Sequence, residues 1–250
     1  MTIKTTLNYS PNFNSIKRQS KEIKFIIFHY TGMKKESAAI SRLTEIQSEV
    51  GCHYFIKGNG EILTMVPVLY TAWHAGKSSW KNYKSLNKNS IGIEISNQGH
   101  EFNYKKFSNK QIISILKLSN FLIKKYTVQA KNILGHSDIA PDRKKDPGEN
   151  FPWKYLAKNK VGVWHTLKNE ILKENRMCKI DEKSKKLFLK NLSKIGYSKR
   201  TLKNFNKDRY LIYVIKAFQR RFRQELIDGK IDKECLLISQ NLVKRHVNLS

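Results

Sequence analysis

Ile23-Lys24-Phe25-Ile26-Ile27-Phe28-His29 is a short apolar run rich in β-formers, and it reads as a buried strand that ends on a histidine. The segments after it alternate in period. Ser37–Glu49 has helical spacing, with Ile40, Leu43 and Ile46 on one face. Cys52-His53-Tyr54-Phe55-Ile56 and Glu61–Val66 read as strands joined through Gly58-Asn59-Gly60, where Asn-Gly is a favoured hairpin pair. Ile91-Gly92-Ile93-Glu94-Ile95 is a further strand. Ser108 caps a helix through Tyr126, and Ile133-Leu134 is a short strand that feeds a second histidine, His136. Interleaved strands and helices predict an α/β class, a mixed central sheet with helices on its faces.

Past Trp164 the character changes to short helices, about Asp181–Ile195, Ser198–Asn204 and Arg209–Gln224, with turns at Gly196-Tyr197 and Asp228-Gly229. The expected division is an N-terminal extension over 1–22, a sheet domain over 23–165, a charged linker helix over 166–179 and a small all-α three-helix unit over 180–250.

His29 and His136 mark the chemistry. His136 heads the loop Gly135-His136-Ser137-Asp138-Ile139-Ala140-Pro141-Asp142-Arg143-Lys144-Lys145-Asp146-Pro147-Gly148, which ends in a carboxylate. Two imidazoles and one carboxylate form a ligand set that leaves one position of a zinc ion open to water, which points to hydrolysis. Singly, each residue has a plainer reading. A histidine at a strand end can be a structural hydrogen-bonder, and an aspartate before proline can form a turn. Glu94 is harder to set aside. Flanked by Ile93 and Ile95, it points to the opposite face from them. An unpaired buried charge there would be prohibitive, so that face meets water, a cation or a cleft. In an extended loop Lys144 and Asp146 point the same way, which sets an ammonium beside the metal. A hydrogen bond to the far nitrogen would fix the His29 tautomer, but its partner is not visible in the sequence.

Composition bounds the rest. The chain has 250 residues, 40% of them hydrophobic, enough for a real core. No apolar run reaches the ~18 residues of a membrane helix, so no membrane span is expected. The first residues lack an apolar signal-peptide centre, which leans toward the cytoplasm. Cys52, Cys178 and Cys235 give neither a disulfide framework nor a metal knuckle. The net charge of +28 is spread along the chain and attracts polyanions, whether nucleic acid or a carboxylate-rich polymer. No helix-turn-helix, RNA-recognition or zinc-finger pattern supports a specific nucleic-acid partner.

Phe28-His29-Tyr30-Thr31, Cys52-His53-Tyr54-Phe55-Ile56, Ala72-Trp73-His74-Ala75-Gly76, Asn89-Ser90-Ile91-Gly92-Ile93-Glu94 and the long Gly135–Gly148 motif together resemble zinc-dependent N-acetylmuramoyl-L-alanine amidases of the AmpD/AmiD type, which are related to peptidoglycan recognition proteins. The match runs from about residue 22 to 165 in the family's order. The resemblance implies one zinc per chain on His29, His136 and Asp146, an acid/base role for Glu94 and a charge-stabilising role for Lys144. It places His74, Arg143, Trp73 and His53 near the substrate, which would be peptidoglycan or anhydro-muropeptides. Relatives that only recognise the polymer commonly lack part of the zinc set, and this chain lacks none. The tail, with Leu192–Tyr197, Ala217-Phe218-Gln219-Arg220-Arg221-Phe222-Arg223 and Asp228-Gly229, is similar to three-helix peptidoglycan-binding domains. A wall-binding tail leans toward the periplasm or cell wall, against the hint from the N-terminus.

Overall fold

The computed structural model describes residues 3–197 and 209–247. Its centre is a six-stranded mixed sheet built from β1 (Thr6–Leu7), β3 (Phe25–Tyr30), β4 (Tyr54–Ile56), β5 (Ile62–Thr64), β9 (Ser90–Ile95) and β10 (Ile133–Gly135), in the order β1-β5-β4-β9-β3-β10. Only β4 and β5 pair antiparallel, through the hairpin whose Gly60 adopts φ +86°. All other neighbours in the sheet run parallel. Two short ribbons, β2 (Phe13–Asn14) with β6 (Thr71–Ala72) and β7 (Ser79–Trp80) with β8 (Tyr83–Lys84), flank it.

Eight helices accompany these strands among the described residues: α1 (Glu36–Thr44), α2 (Asn109–Tyr126), the single turn α3 (His136–Ile139), α4 (Trp153–Lys158), α5 (Asn169–Asn175), α6 (Glu182–Ile195), α7 (Arg209–Phe222) and α8 (Lys233–Val247). Ser108 caps α2 as expected: its hydroxyl accepts the Gln111 N–H, and the Gln111 side chain returns to the Ser108 N–H.

Alternation assigns the two faces of the sheet. Ile26 and Phe28 on β3, with Ile91, Ile93 and Ile95 on β9, pack against Ile115, Leu118 and Leu122 of α2. Phe25 and Ile27 face the other way, into one continuous core with Phe188, Leu192, Phe218 and Phe222 of the C-terminal helices. The tail is therefore the second helical layer on the sheet.

The N-terminal extension, expected to be irregular, adds β1 to the sheet edge and β2 to a ribbon. Strands of two residues carry no readable periodicity. Helix α8 was not expected, although Asp232 caps it by accepting the Cys235 N–H. The expected helix over 198–204 lies outside the described residues. No described helix is long and apolar enough to cross a membrane.

Candidate metal centre

Three parallel strands deliver the site. In the β3–β9 ladder His29 lies opposite Glu94, and in the β10–β3 ladder Gly135 lies opposite Phe28, so His136 follows at the level of His29. All three residues thus sit at the carboxyl ends of parallel strands, where open α/β sheets bind their ligands. Asp146 returns on the loop after α3, and its carbonyl accepts the Ser137 N–H at 2.8 Å. His29 Nδ1, His136 Nδ1 and Asp146 Oδ2 form a triangle with sides of 2.9, 3.0 and 3.0 Å, all three residues buried.

The hydrogen bonds behind this triangle set the tautomers. The Ser90 hydroxyl donates to the Leu86 carbonyl at 2.6 Å, so its oxygen accepts from His74 Nε2–H at 3.1 Å. His74 Nδ1 is then the acceptor for His29 Nε2–H at 3.0 Å, which leaves His29 Nδ1 with a bare lone pair. His136 Nε2 faces the Ala75 carbonyl at 3.2 Å and must donate to it, so its Nδ1 is bare as well. Burial and the neighbouring His136 push His29 down to about 4. Burial also pushes Asp146 up, and the imidazoles, His136 foremost, hold it well below the usual carboxylate range only where they turn shared protons toward it. Three electron-rich atoms about 3 Å apart repel one another unless a cation or shared protons lie among them. Bonds of ~2.0–2.1 Å to a tetrahedral zinc give ligand separations of about 3.3 Å, so the donor set fits that ion with a small expansion.

This triangle borders a cleft of about 360 Å³ lined by Trp73, His74, Glu94, His100, His136, Arg143, Lys144 and Asp146, among others. As the alternation predicted, Glu94 points away from the Ile93 and Ile95 core and into the cleft. It is partly buried, and its Oε2 has no hydrogen-bond partner within the chain. Burial, reinforced by Asp146 and opposed by Lys144, pushes its carboxyl up to about 8. In the metal-free protein the folded state therefore holds a proton that the unfolded state releases above its ordinary range, so stability declines as pH rises from about 4.5 to 8. Glu94→Gln removes that penalty. At pH 8 the metal-free variant is expected to be roughly 1–2 kcal/mol more stable than wild type, with the gap closing toward pH 5, as read by urea unfolding at both values.

Lys144 lines the cleft, and its charge is felt at both Glu94 and His29. Its N–H donates to the Ala140 carbonyl and closes the turn over residues 141–143. Trp73 reaches the cleft wall and donates its indole N–H to Asn14 Oδ1 at 2.6 Å. Arg143 also lines the cleft, but its guanidinium is engaged by the Ala75 and Lys77 carbonyls at 2.5 and 2.7 Å.

His74 sits behind His29, and the sheet makes room for it: a Cβ on Gly92 would lie 2.3 Å from its Cγ, so β9 needs glycine there. The structure does not bring His53 to the cleft. Its Nδ1 accepts the Gly92 N–H, its Nε2 meets the Tyr70 carbonyl, and it is fully buried, so the expectation of a substrate contact is corrected to a role in the scaffold. Ser90 had no signal in the sequence beyond its place in a motif. His100, which matched no motif, reaches the cleft between Tyr30 Oη and Glu149.

A family profile described as N-acetylmuramoyl-L-alanine amidase matches residues 19–149. The chain is 32% identical over 239 residues to the N-acetylmuramoyl-L-alanine amidase AmiD of Escherichia coli, covering 90% of this chain and 83% of that protein. It shares 38% identity over 104 residues with the 1,6-anhydro-N-acetylmuramyl-L-alanine amidase AmpD of Citrobacter freundii, 42% of this chain and 54% of that one. The structure of E. coli AmiD with its substrate anhydro-N-acetylmuramic acid-L-Ala-D-γ-Glu-L-Lys superposes with a TM-score of 0.79 at 31% identity, covering 93% of each chain. AmpDh3 of Pseudomonas aeruginosa with an anhydromuramic pentapeptide gives 0.78 at 28% identity, over 93% of this chain and 97% of that one.

Proposed function

Because the chain belongs to the N-acetylmuramoyl-L-alanine amidase family, we propose that it hydrolyses the amide between the lactyl carbonyl of N-acetylmuramic acid and the L-alanine of the stem peptide. The sugar is taken in its ordinary or 1,6-anhydro form, the latter being the form in the ligands of the AmiD and AmpDh3 structures. The observation that carries this reading is the convergence of two imidazole lone pairs and a carboxylate at the edge of a cleft that also holds an unpartnered glutamate.

His29, His136 and Asp146 would hold one zinc per chain. When bound, zinc lowers the pKa of water to about 7 and polarises a carbonyl. The chain's own groups supply the rest. Glu94 takes a proton from the attacking water and delivers it to the nitrogen of L-alanine as that bond breaks. Such transfers typically contribute ~10²–10⁴-fold. Lys144 faces the negative charge that develops on the carbonyl oxygen, where losing one such donor costs ~10²–10³ in turnover.

Trp73 offers the sugar or peptide an aromatic wall. Arg143, with Nε and Nη2 held by the Ala75 and Lys77 carbonyls, contributes positive charge toward peptide carboxylates and steadies the loop over His136. His74 meets substrate at most by its edge and acts chiefly on His29. The described C-terminal helices α6, α7 and α8 add affinity for the polymer as part of the same packed body, not as a tethered module.

Mass spectrometry of products from whole sacculi and from a defined anhydro-muropeptide tests the reaction. The expected products are a free stem peptide beginning with L-alanine and a sugar carrying a lactyl carboxylate. Intact substrates, or scission at another bond, would contradict the proposal.

A further inference from the structure

Helix α7 belongs to the tail, yet its last turn ends behind the metal loop. Arg221 Nη1 donates to Asp138 Oδ2 at 2.5 Å, and Nη2 donates to the Ile133 carbonyl of β10 at 2.8 Å. Tyr197 donates its hydroxyl to the other carboxylate oxygen at 2.6 Å, and the Gly135 N–H donates to Oδ2 at 2.8 Å. Asp138, Arg221 and Tyr197 are each at most 2% exposed, and the guanidinium lies 4.4 Å from the Trp153 ring centroid. Arg221 and Tyr197 do not line the cleft.

Asp138 is two residues from His136 on α3, a helix of only four residues. A turn that short has no stability of its own, since isolated helices below ~12–15 residues are marginal in water. Its rotation must be set from outside, and that rotation aims His136 Nδ1. The same turn carries the Ser137 N–H bond to the Asp146 carbonyl, so it also bears on the third member of the triangle. A buried ion pair adds little net stability over well-packed apolar groups. Its use here is geometric.

We propose that the C-terminal helices brace the metal centre, with Arg221 and Tyr197 as positioning residues that act through Asp138 on His136. This rests on His136 being a metal ligand, and it gives the tail a role separate from polymer affinity.

The test uses the full chain with Tyr197→Phe, which removes one donor while keeping the ring, and Arg221→Lys, which loses the planar fork. Ile238→Val, in the buried core on α8, a helix that carries neither brace residue, serves as the control. Zinc affinity is read by competition with a chromogenic chelator, and melting temperature is read on the metal-free forms. Both brace variants should bind zinc about tenfold or more weakly, within the ~10–100-fold range of ligand-supporting partners. Their kcat on a soluble anhydro-muropeptide should fall, with KM little changed. Ile238→Val should melt earlier and bind zinc as wild type does. Folded brace variants with wild-type zinc affinity would overturn the brace alone, whereas a wild-type chain that binds no zinc would overturn the metal reading beneath it.

Discussion

Glu94→Gln is expected to hydrolyse anhydro-muropeptide ~10²–10⁴ times more slowly than wild type while keeping its zinc. The amide retains the shape of the carboxylate and its place on β9 opposite His29, so the triangle behind it is undisturbed. What is lost is the ability to accept a proton and return it. The place of Glu94 suits proton transfer, because it lines the cleft beside the triangle and one of its oxygens is buried without a partner in the chain. Zinc analysis of the purified variant beside single-turnover rates checks both halves. A variant that turns over like wild type would remove Glu94 from the chemistry.

Asp146→Ala should have the larger effect on the metal. The carboxylate is the only charged member of the triangle, and it contacts both imidazoles at 3.0 Å. Two neutral imidazoles alone leave a divalent ion undercompensated in a buried place. The loss of zinc affinity should therefore exceed the ~10–100-fold of outer-shell changes, and activity should vanish with it. Thermal melting gives an independent readout. Zinc at 100 times its Kd stabilises the wild-type fold by about 2.7 kcal/mol, and added zinc should leave the variant's melting temperature unmoved.

Much of this site could be read from residue types at the ends of β-prone runs. His29 closes one such run, His136 opens the loop after another, and strand alternation placed Glu94 on the side away from its isoleucines. The sheet then had to bring together residues more than a hundred positions apart, which alternation cannot show. The place of His74 depends on the room left by Gly92 on a different strand, and nothing in Trp73-His74-Ala75 reveals that neighbour. The same holds for His53, whose ring nitrogens are fixed by Gly92 and Tyr70. The tail was legible as helices but not as a layer of the core. Its period shows that each helix has an apolar face, and says nothing of Phe25 and Ile27 waiting to cover it. The link from Arg221 to Asp138 spans 83 residues of sequence and leaves no local signal. Even α8 carried a readable cap in Asp232, but Ser239, Gln240 and Asn241 interrupt its apolar run.

The central claim is that two imidazoles and one aspartate grip a single cation. Zinc analysis of the purified wild-type chain, joined to X-ray absorption at the zinc edge, addresses it directly. The account predicts one zinc per chain with two imidazole nitrogens and a carboxylate oxygen in its coordination shell, and loss of that signal in Asp146→Ala. A chain purified without zinc and unable to take it up, or a zinc whose shell is unchanged in Asp146→Ala, would contradict it.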